Sequence, residues 1–187
     1  MTRGIVFLEE QSAFYLAVAV AHRLGLSEHL IFVAYEGKAD LERSFARKIK
    51  AWRNPADARF VVTRDNDGGD CHALKRRLFD RIDADLHDRT KIRIVMQELE
   101  SWYLGDPMAL SESGLLDETQ ASRYSAKRKY AEPDRLTNAK QEFDKWVGHR
   151  GKIAAAQSIG PHLYEHRNCS QSFRHFIDAL RWAAAER

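Results

Sequence analysis

The first half of the chain alternates short apolar runs with amphipathic segments. The apolar runs predict buried strands at residues 5–8, 30–34, 60–63 and 92–96. The segments between them carry apolar residues at helical spacing and predict helices at 12–24, 41–52 and 71–86. Strands that alternate with helices form parallel sheets through right-handed crossovers. This half is therefore predicted to be a three-layer α/β/α sandwich with a mainly parallel sheet.

The second half has no strand-like runs and is predicted to be mainly helical. Helical periodicity recurs at 138–147, 152–163 and 172–185. Ser12 and Ser172 are predicted to cap the first and last helices of the chain. The polar segment 111–134 has little periodicity, so a long connection is expected there.

Composition favours a single globular domain over 1–187, divided into an α/β core at 1–105 and a helical extension at 106–187. The 187 residues are 30% charged and 44% hydrophobic, and no apolar run approaches the roughly 18 residues that span a membrane. Cys71 and Cys169 form neither a metal-ligand spacing nor a disulfide framework. With no signal-peptide pattern at the N-terminus, we expect a cytoplasmic protein without a membrane partner.

Basic residues are concentrated between residues 122 and 152. Nine Lys or Arg stand there against four Asp or Glu, whereas the whole chain has a formal net charge of only +3. Two interpretations stay open at this point. The segment forms either a surface that faces the phosphates of a nucleic acid or a set of solvated helix faces.

Acidic residues follow three of the four predicted strands. They are Glu9 and Glu10 after the first strand, Asp65, Asp67 and Asp70 after the third, and Glu98 and Glu100 after the fourth. The carboxyl ends of parallel strands share one edge of the sheet, so these acids are expected to meet there. Crowded carboxylates raise one another's pKa, and a divalent cation relieves that repulsion. Oxygen ligands without His or Cys favour Mg²⁺ or Mn²⁺ over Zn²⁺.

The acids after the third and fourth strands also have simpler interpretations. An Asp-x-Asp in a Gly-containing turn commonly binds local backbone N–H groups, and Glu98 and Glu100 could merely favour the N-terminus of a helix. Of Glu98 and Glu100, we favour Glu100 as the site residue and keep Glu98 as a second candidate. Trp102 and Tyr103 are interpreted as aromatic residues of the core or of the site wall.

The spacing resembles that of the Toprim (topoisomerase–primase) domain, in which a Glu follows the first strand and an Asp-x-Asp follows a later one. Here these are Glu9 and Asp65-Asn66-Asp67. A closer likeness is to a small bacterial family of stand-alone Toprim-like proteins related to RloB-like and OLD-type nucleases. The segments that carry this likeness are 8–12, 37–38, 64–68, 98–104, Lys152 and 172–174.

The resemblance implies Mg²⁺- or Mn²⁺-dependent phosphoryl transfer on DNA or RNA, in company with an ATPase partner in defence against phage. The expected metal ligands are Glu9, Asp65, Asp67, Glu98 and Glu100, and the expected catalytic residues are Glu9, Asp65, Asp67, Glu100 and Lys152. Lys152 is expected to contact the scissile phosphate, and Glu9 or Glu100 to assist proton transfer. An oligomer is compatible with this pattern.

The chain departs from the usual start of the motif at two positions. Glu10 occupies the place of a Gly, and Ala13 occupies the place of a second Glu. These departures keep open an alternative of another class, in which the chain is a non-catalytic metal-binding or regulatory subunit of a defence ATPase complex.

Overall fold

The computed structural model describes residues 4–52 and 58–185. Within these ranges, four parallel strands form one sheet in the order β2-β1-β3-β4. The strands are β1 (Gly4–Leu8), β2 (Leu30–Ala34), β3 (Phe60–Asp65) and β4 (Thr90–Val95). Every residue of β1 is buried, as expected for an inner strand that is covered on both faces. The four predicted strands are confirmed.

Helices cover both faces of the sheet. On one face, α2 (Lys38–Ala51) and α3 (Cys71–Phe79) pack on Ile5 and Phe7 of β1. On the other face, α1 (Gln11–Arg23) and α9 (Gln171–Ala184) pack on Val6 and Leu8 of the same strand. Alternate residues of β1 therefore enter different cores, because successive side chains of a strand point to opposite faces. The predicted three-layer α/β/α sandwich is confirmed.

The second half adds further helices to the face that α1 and α9 cover. They are α4 (Glu100–Leu104), α5 (Pro107–Glu112), α6 (Glu118–Ser125), α7 (Ala139–Val147) and α8 (Lys152–Ile159). The expectation of a long connection at 111–134 is wrong, because α6 and two short 3-10 helices lie there. A capping box between Asp117 and Gln120 starts α6. The buried rings of Tyr124 and Tyr130 stack with centroids 4.1 Å apart and anchor the segment.

Four predicted helix boundaries are also corrected. The helix expected at 71–86 ends at Phe79, and a 3-10 helix at Ala84–Arg89 follows. The helix expected at 152–163 is α8 followed by a 3-10 turn at Gly160–His162. The caps of α1 and α9 are Glu10 and Ser170 rather than Ser12 and Ser172. Ser172 instead accepts a hydrogen bond from the indole N–H of Trp102 at 2.8 Å.

No helix in the two described ranges is both long enough and apolar enough to cross a lipid bilayer.

Candidate metal centre

Glu9 links the carboxyl ends of β1 and β3. It follows the last residue of β1, and its Oε2 accepts a hydrogen bond from the backbone N–H of Asp65 at 3.0 Å. Its own carbonyl accepts from the N–H of Gly37 at 2.8 Å. Burial raises the pKa of Glu9, although the bond from Asp65 and the nearby Arg64 oppose this. The side chain thus lies at the sheet edge where the sequence predicted it.

Asp65 ends β3 in the centre of this edge. Its side chain keeps a solvent-accessible face, although protein atoms surround the rest of it. Burial raises the pKa of Asp65 well above its ordinary value, and three neighbouring carboxylates raise it further, those of Glu9, Glu10 and Glu100. Lys152 acts in the opposite direction. Asp65 is therefore the point at which acids from three strand ends interact.

Glu100 occupies the first turn of α4 and is only 5% exposed. None of the other described side chains donates a hydrogen bond to its carboxylate within bonding distance. Burial raises the pKa of Glu100, while its own backbone N–H and the charge of Lys152 oppose the shift. A buried carboxylate without a side-chain partner is costly unless a cation or another ligand compensates it.

Tyr103 lies one helical turn after Glu100 and is 2% exposed. Its hydroxyl is buried and finds no hydrogen-bond partner among the atoms of the described residues. Burial raises the pKa of Tyr103 well above its ordinary value, and Glu100, Glu10 and Asp65 raise it further. The hydroxyl therefore lies in the electrostatic field of the same carboxylates that surround Asp65.

Lys152 is the first residue of α8 and reaches the strand ends through Glu10. Its Nζ lies 3.1 and 3.2 Å from the two carboxylate oxygens of Glu10. Burial would lower the pKa of Lys152, but Glu10, Glu100 and Asp65 together raise it. A cation from the distant helical half thus stands beside the acidic cluster.

Asp67 lies at the rim of the cluster and has other partners. Its Oδ2 is 2.8 Å from Nη1 of Arg64 and 3.0 Å from Nζ of Lys38. Burial opposes ionisation, but the bonds from Arg64 and Lys38 lower the pKa of Asp67. Its backbone has a φ of 49°, which few residues other than Gly adopt, although Asp does so more readily than most. The role of Asp67 as a metal ligand stays a prediction.

Glu98 contacts α7, a partner that its sequence position did not suggest. Its Oε2 accepts a hydrogen bond from the backbone N–H of Lys140 at 2.9 Å, in the first turn of α7. A carboxylate is stabilised at a helix N-terminus by the unsatisfied N–H groups and the helix dipole. Glu98 would have to leave this position to bind a cation, so its role as a ligand also stays a prediction.

The chemistry of the cluster fits a hard divalent cation. Glu9, Asp65 and Glu100 offer carboxylate oxygens, and a cation would offset the burial that raises their pKa values. In the described parts of the chain, no three His, Cys, Asp or Glu side chains converge closely enough to ligate one ion as they stand. Binding would therefore require these side chains to turn toward a common point.

Two residues of the site escaped sequence reasoning. Arg64 is 6% exposed, and its Nε donates to Glu42 Oε1 of α2 at 3.1 Å. The side-chain carbonyl of Asn66 accepts from the backbone N–H of Gln97 at 2.6 Å, which joins the loops after β3 and β4. The alternation of side chains along β3 could have indicated Arg64, because it places Arg64 and Asp65 on opposite faces of the sheet at the same strand end. Nothing local to Asn66 signals its partner.

The order of the strands and the helical second half define a Toprim-like α/β fold. This fold is similar to that of the C-terminal regions of two OLD proteins. The C-terminal region of the Burkholderia pseudomallei OLD protein superposes with a TM-score of 0.65 at 19% identity, over 99% of this chain and 100% of that chain. The corresponding region of the Xanthomonas campestris pv. campestris OLD protein, phased with platinum, gives a TM-score of 0.58 at 16% identity, over 98% of this chain and 94% of that chain. Residues 7–181 match the family described as "Domain of unknown function (DUF4276)", and the chain belongs to that family.

No curated protein matches the chain. The identities to the OLD structures are low, so this likeness establishes the fold alone. The resemblance to OLD-type proteins that the sequence indicated is confirmed at that level.

Proposed function

We propose that this chain is a Mg²⁺- or Mn²⁺-dependent phosphodiester hydrolase that acts on nucleic acid. The observation that carries the proposal is the position of the half-buried Asp65 and the buried Glu100 at the carboxyl ends of the strands, beside the cation of Lys152. Acids that are crowded in this way favour a divalent cation. A lysine beside such a site suits an anionic substrate.

Glu9, Asp65 and Glu100 are the residues that would hold the cation. Asp67 and Glu98 would join them only after leaving their present partners, which are Arg64 and Lys38 for Asp67 and the N–H of Lys140 for Glu98. A bound divalent cation supplies polarisation of the phosphodiester and stabilisation of the leaving oxygen.

The residues of the chain would position the phosphate and accept a proton. The ammonium group of Lys152 leaves Glu10 and binds a non-bridging oxygen of the scissile phosphate. This contact holds the phosphate against the sheet edge. Glu9 or Glu100 accepts a proton from the attacking water. The water oxygen bonds to phosphorus as the bond from phosphorus to the leaving oxygen breaks, and the leaving oxygen takes a proton from solvent.

The partners of the chain are part of the same proposal. The resemblance to RloB-like and OLD-type proteins that the sequence indicated implies DNA or RNA as the substrate. It also supports an ATPase partner and a role in defence against phage, and it is compatible with an oligomer. Co-purification with the products of neighbouring genes tests the partner.

The test of hydrolysis compares two Asp→Asn substitutions in one loop. Asp65→Asn removes a carboxylate from the centre of the site. Asp70→Asn removes the same charge from the N-cap of α3, where Asp70 binds the N–H groups of His72 and Ala73, and Asn is an equally good N-cap. We expect Mg²⁺-dependent cleavage of plasmid and single-stranded substrates to be lost in Asp65→Asn and kept in Asp70→Asn. Equal cleavage by wild type and Asp65→Asn would contradict the proposal.

A second candidate function is a non-catalytic metal-binding subunit of a defence ATPase complex. The observation that favours it is the pairing of Lys152 with Glu10, a residue that replaces the Gly of the usual motif. In this case calorimetry would detect Mg²⁺ binding that Asp65→Asn abolishes, while the purified protein would cleave nothing. Cleavage that appears only after the partner is added would combine the two functions.

A further inference from the structure

A cavity of about 440 Å³ lies along the outer edge of β4, between α3 and α9. Within the described ranges β4 is the last strand of the sheet, so this edge is not covered by another strand. Apolar side chains of β4 form the floor, among them Ile92 and Ile94. Lys75 of α3 and Arg93 of β4 line the same cavity.

Lys75 and Arg93 are partly buried cations without an acidic partner. In the portion of the chain that the structure covers, no carboxylate forms an ion pair with either side chain. Arg93 donates only to backbone carbonyls, from Nε to His175 at 2.9 Å and from Nη1 to Ile92 at 3.4 Å. Burial lowers the pKa of both groups, and Arg93 lowers that of Lys75 further, whereas Asp178 acts in the opposite direction on Arg93. Two like charges thus share one cavity.

The one acid among the residues that line this cavity is already bound. Asp134 accepts from the hydroxyls of Ser170 and Ser172 and from the backbone N–H of Ser172, at 2.6, 3.1 and 2.8 Å. Its charge is therefore directed to the start of α9 and away from Lys75. An anion from outside the chain could satisfy both cations without breaking an existing contact.

Asp134 and Arg135 of the basic segment 122–152 line the cavity, and Arg135 pairs with Glu132 at 2.9 Å. The other cations of this segment also differ in their pairing from Lys75 and Arg93. Lys129 and Lys145 both bind Glu142, at 2.5 and 2.6 Å, and Lys140 binds Asp144 at 3.0 Å. Much of the charge that the sequence attributes to a phosphate-facing surface is thus neutralised within the segment. The cations of the β4 edge are not, so the edge is the better candidate for a phosphate contact.

The cavity borders the loop that carries the acidic cluster. Cys71 and His72 line it, and they directly follow Asp70 at the end of the loop after β3. Met96 lines it at the end of β4, and Gln97 next to it is bound to Asn66 of the same loop. A strand of nucleic acid that leaves the sheet edge on this side would meet Lys75 and Arg93.

We propose that Lys75 and Arg93 form a phosphate-binding site that holds the backbone of single-stranded nucleic acid next to the acidic cluster. This inference rests on the proposed nucleic-acid substrate and adds the surface that the substrate occupies. The site contacts the phosphate backbone, because Lys75 and Arg93 offer two positive charges without an acidic partner among the described residues, and such charges suit phosphate oxygens. Ile92 and Ile94 supply an apolar floor that excludes water from these contacts.

The test is fluorescence anisotropy with a labelled 12-nucleotide single strand in buffer with EDTA, so that binding is measured without cleavage. The double variant Lys75→Gln/Arg93→Gln should raise the Kd by about tenfold. It should also reduce the magnitude of the slope of log K against log salt by about 1.4, since each phosphate contact on a single strand contributes about 0.7. The single variant Lys75→Glu should weaken binding too, and Lys75 makes no hydrogen bond within ranges 4–52 and 58–185 that its loss would break.

The matched control removes two charges from the segment 122–152. Arg123 and Arg128 are exposed, and Arg123→Gln/Arg128→Gln should bind the strand as wild type does. Thermal melting checks that all variants are folded. The proposal is overturned if Lys75→Glu and the Lys75/Arg93 double variant bind like wild type, if the control loses as much affinity, or if wild type does not bind the strand.

Two further measurements separate the possible outcomes. Inorganic phosphate titrated alone should bind far more weakly than the strand, and equal affinity would make free phosphate the ligand and overturn the proposal. Asp65→Asn should keep its affinity for the strand. If wild type binds the strand through Lys75 and Arg93 but cleaves nothing, the phosphate-binding site stands and the proposed hydrolysis fails. If wild type cleaves but Lys75→Glu binds the strand normally, the hydrolysis stands and the phosphate-binding site fails.

Discussion

Nζ of Lys152 lies 3.1 and 3.2 Å from the two carboxylate oxygens of Glu10, and the contact joins residues 142 positions apart in the chain. It connects the start of α8 to the end of β1, so it brings a cation from the helical half to the acidic sheet edge. The same lysine is the residue proposed to hold the scissile phosphate. Glu10 and the phosphate therefore compete for one cation.

This competition predicts opposite effects of two substitutions on nucleic-acid binding. Glu10→Gln should lower the Kd for a single strand by about two- to fivefold, because it removes a negative charge and releases Lys152. Lys152→Gln should raise the Kd by a similar factor. Both side chains are partly exposed, so each change should alter the free energy of unfolding by less than about 1 kcal/mol.

Glu36→Gln is the matched control for Glu10→Gln. Glu36 lines the same cleft as Glu10 and Lys152 but does not pair with the lysine. Glu36→Gln should therefore lower the Kd for the single strand less than Glu10→Gln does. Equal effects of Glu10→Gln and Glu36→Gln would show that only the net charge matters and that the contact with Lys152 does not.

The acidic cluster predicts an unusual dependence of stability on pH in protein without a metal. The pKa values of Glu9, Asp65 and Glu100 are all raised in the fold. Each group therefore binds its proton more tightly folded than unfolded, so its ionisation destabilises the fold. The free energy of unfolding should rise as the pH falls through these raised values, and this gain should be complete near the unfolded values of 3.8 and 4.5.

Other carboxylates reverse the trend at lower pH. Lys129 and Lys145 hold the pKa of Glu142 at about 2, so its contribution is lost as the pH falls from 4.5 toward that value. Chemical denaturation between pH 4 and 8 should thus show a maximum at mildly acidic pH. Asp65→Asn should reduce the difference in the free energy of unfolding between this maximum and pH 8.

Mg²⁺ should stabilise wild type more at pH 8 than at pH 5, because protons compete for the same carboxylate oxygens. An equal effect at both pH values would contradict the prediction.

The sheet and its acidic edge can be predicted from the sequence because their signals are local. Ile5 to Leu8 is an unbroken apolar run, as a strand buried on both faces requires, and the acids directly follow such runs. Since the strands are parallel, their carboxyl ends must share an edge. The positions of Glu9 and Asp65 follow from these two facts alone.

The remaining features depend on contacts between distant residues. The stack of Tyr124 on Tyr130 orders a segment that has almost no periodicity, so a polar sequence there was interpreted as a connection. Glu98 binds the N–H of Lys140, 42 positions away. No repeat or spacing along the chain encodes such pairs, and only the packed helices bring them together.

The unpartnered hydroxyl of Tyr103 predicts that its removal does not destabilise the protein. It is buried without a partner among the described atoms, and an unsatisfied buried hydroxyl costs about 1–3 kcal/mol. Tyr103→Phe should therefore leave the free energy of unfolding unchanged or raise it by about 1 kcal/mol, as measured by urea denaturation of protein without a metal.

Tyr124→Phe is the control for Tyr103→Phe. The hydroxyl of Tyr124 is also buried, but it donates to the carbonyl of Leu104 at 2.6 Å. Its removal should lower the free energy of unfolding by about 1–2 kcal/mol. If both substitutions destabilise the protein equally, the hydroxyl of Tyr103 has a partner such as an ordered water.

Asp67 and Asp65 are predicted to differ in their importance for metal binding. Asp67 must leave Arg64 and Lys38 before it can reach a cation shared with Asp65, whereas Asp65 has no such ion pairs to break among the described side chains. Calorimetry should show that Asp65→Asn weakens Mg²⁺ binding by more than about tenfold, and that Asp67→Asn weakens it by less.

The Asp67→Asn substitution should change the charge without straining the loop, because Asn also tolerates the positive φ of position 67. A loss in Asp67→Asn as large as that in Asp65→Asn would mean that the rim carboxylate turns inward when the ion binds. Asp70→Asn, which removes the same charge a few residues further along, should bind Mg²⁺ as wild type does, because the ligand geometry and not the net charge of the loop determines the affinity.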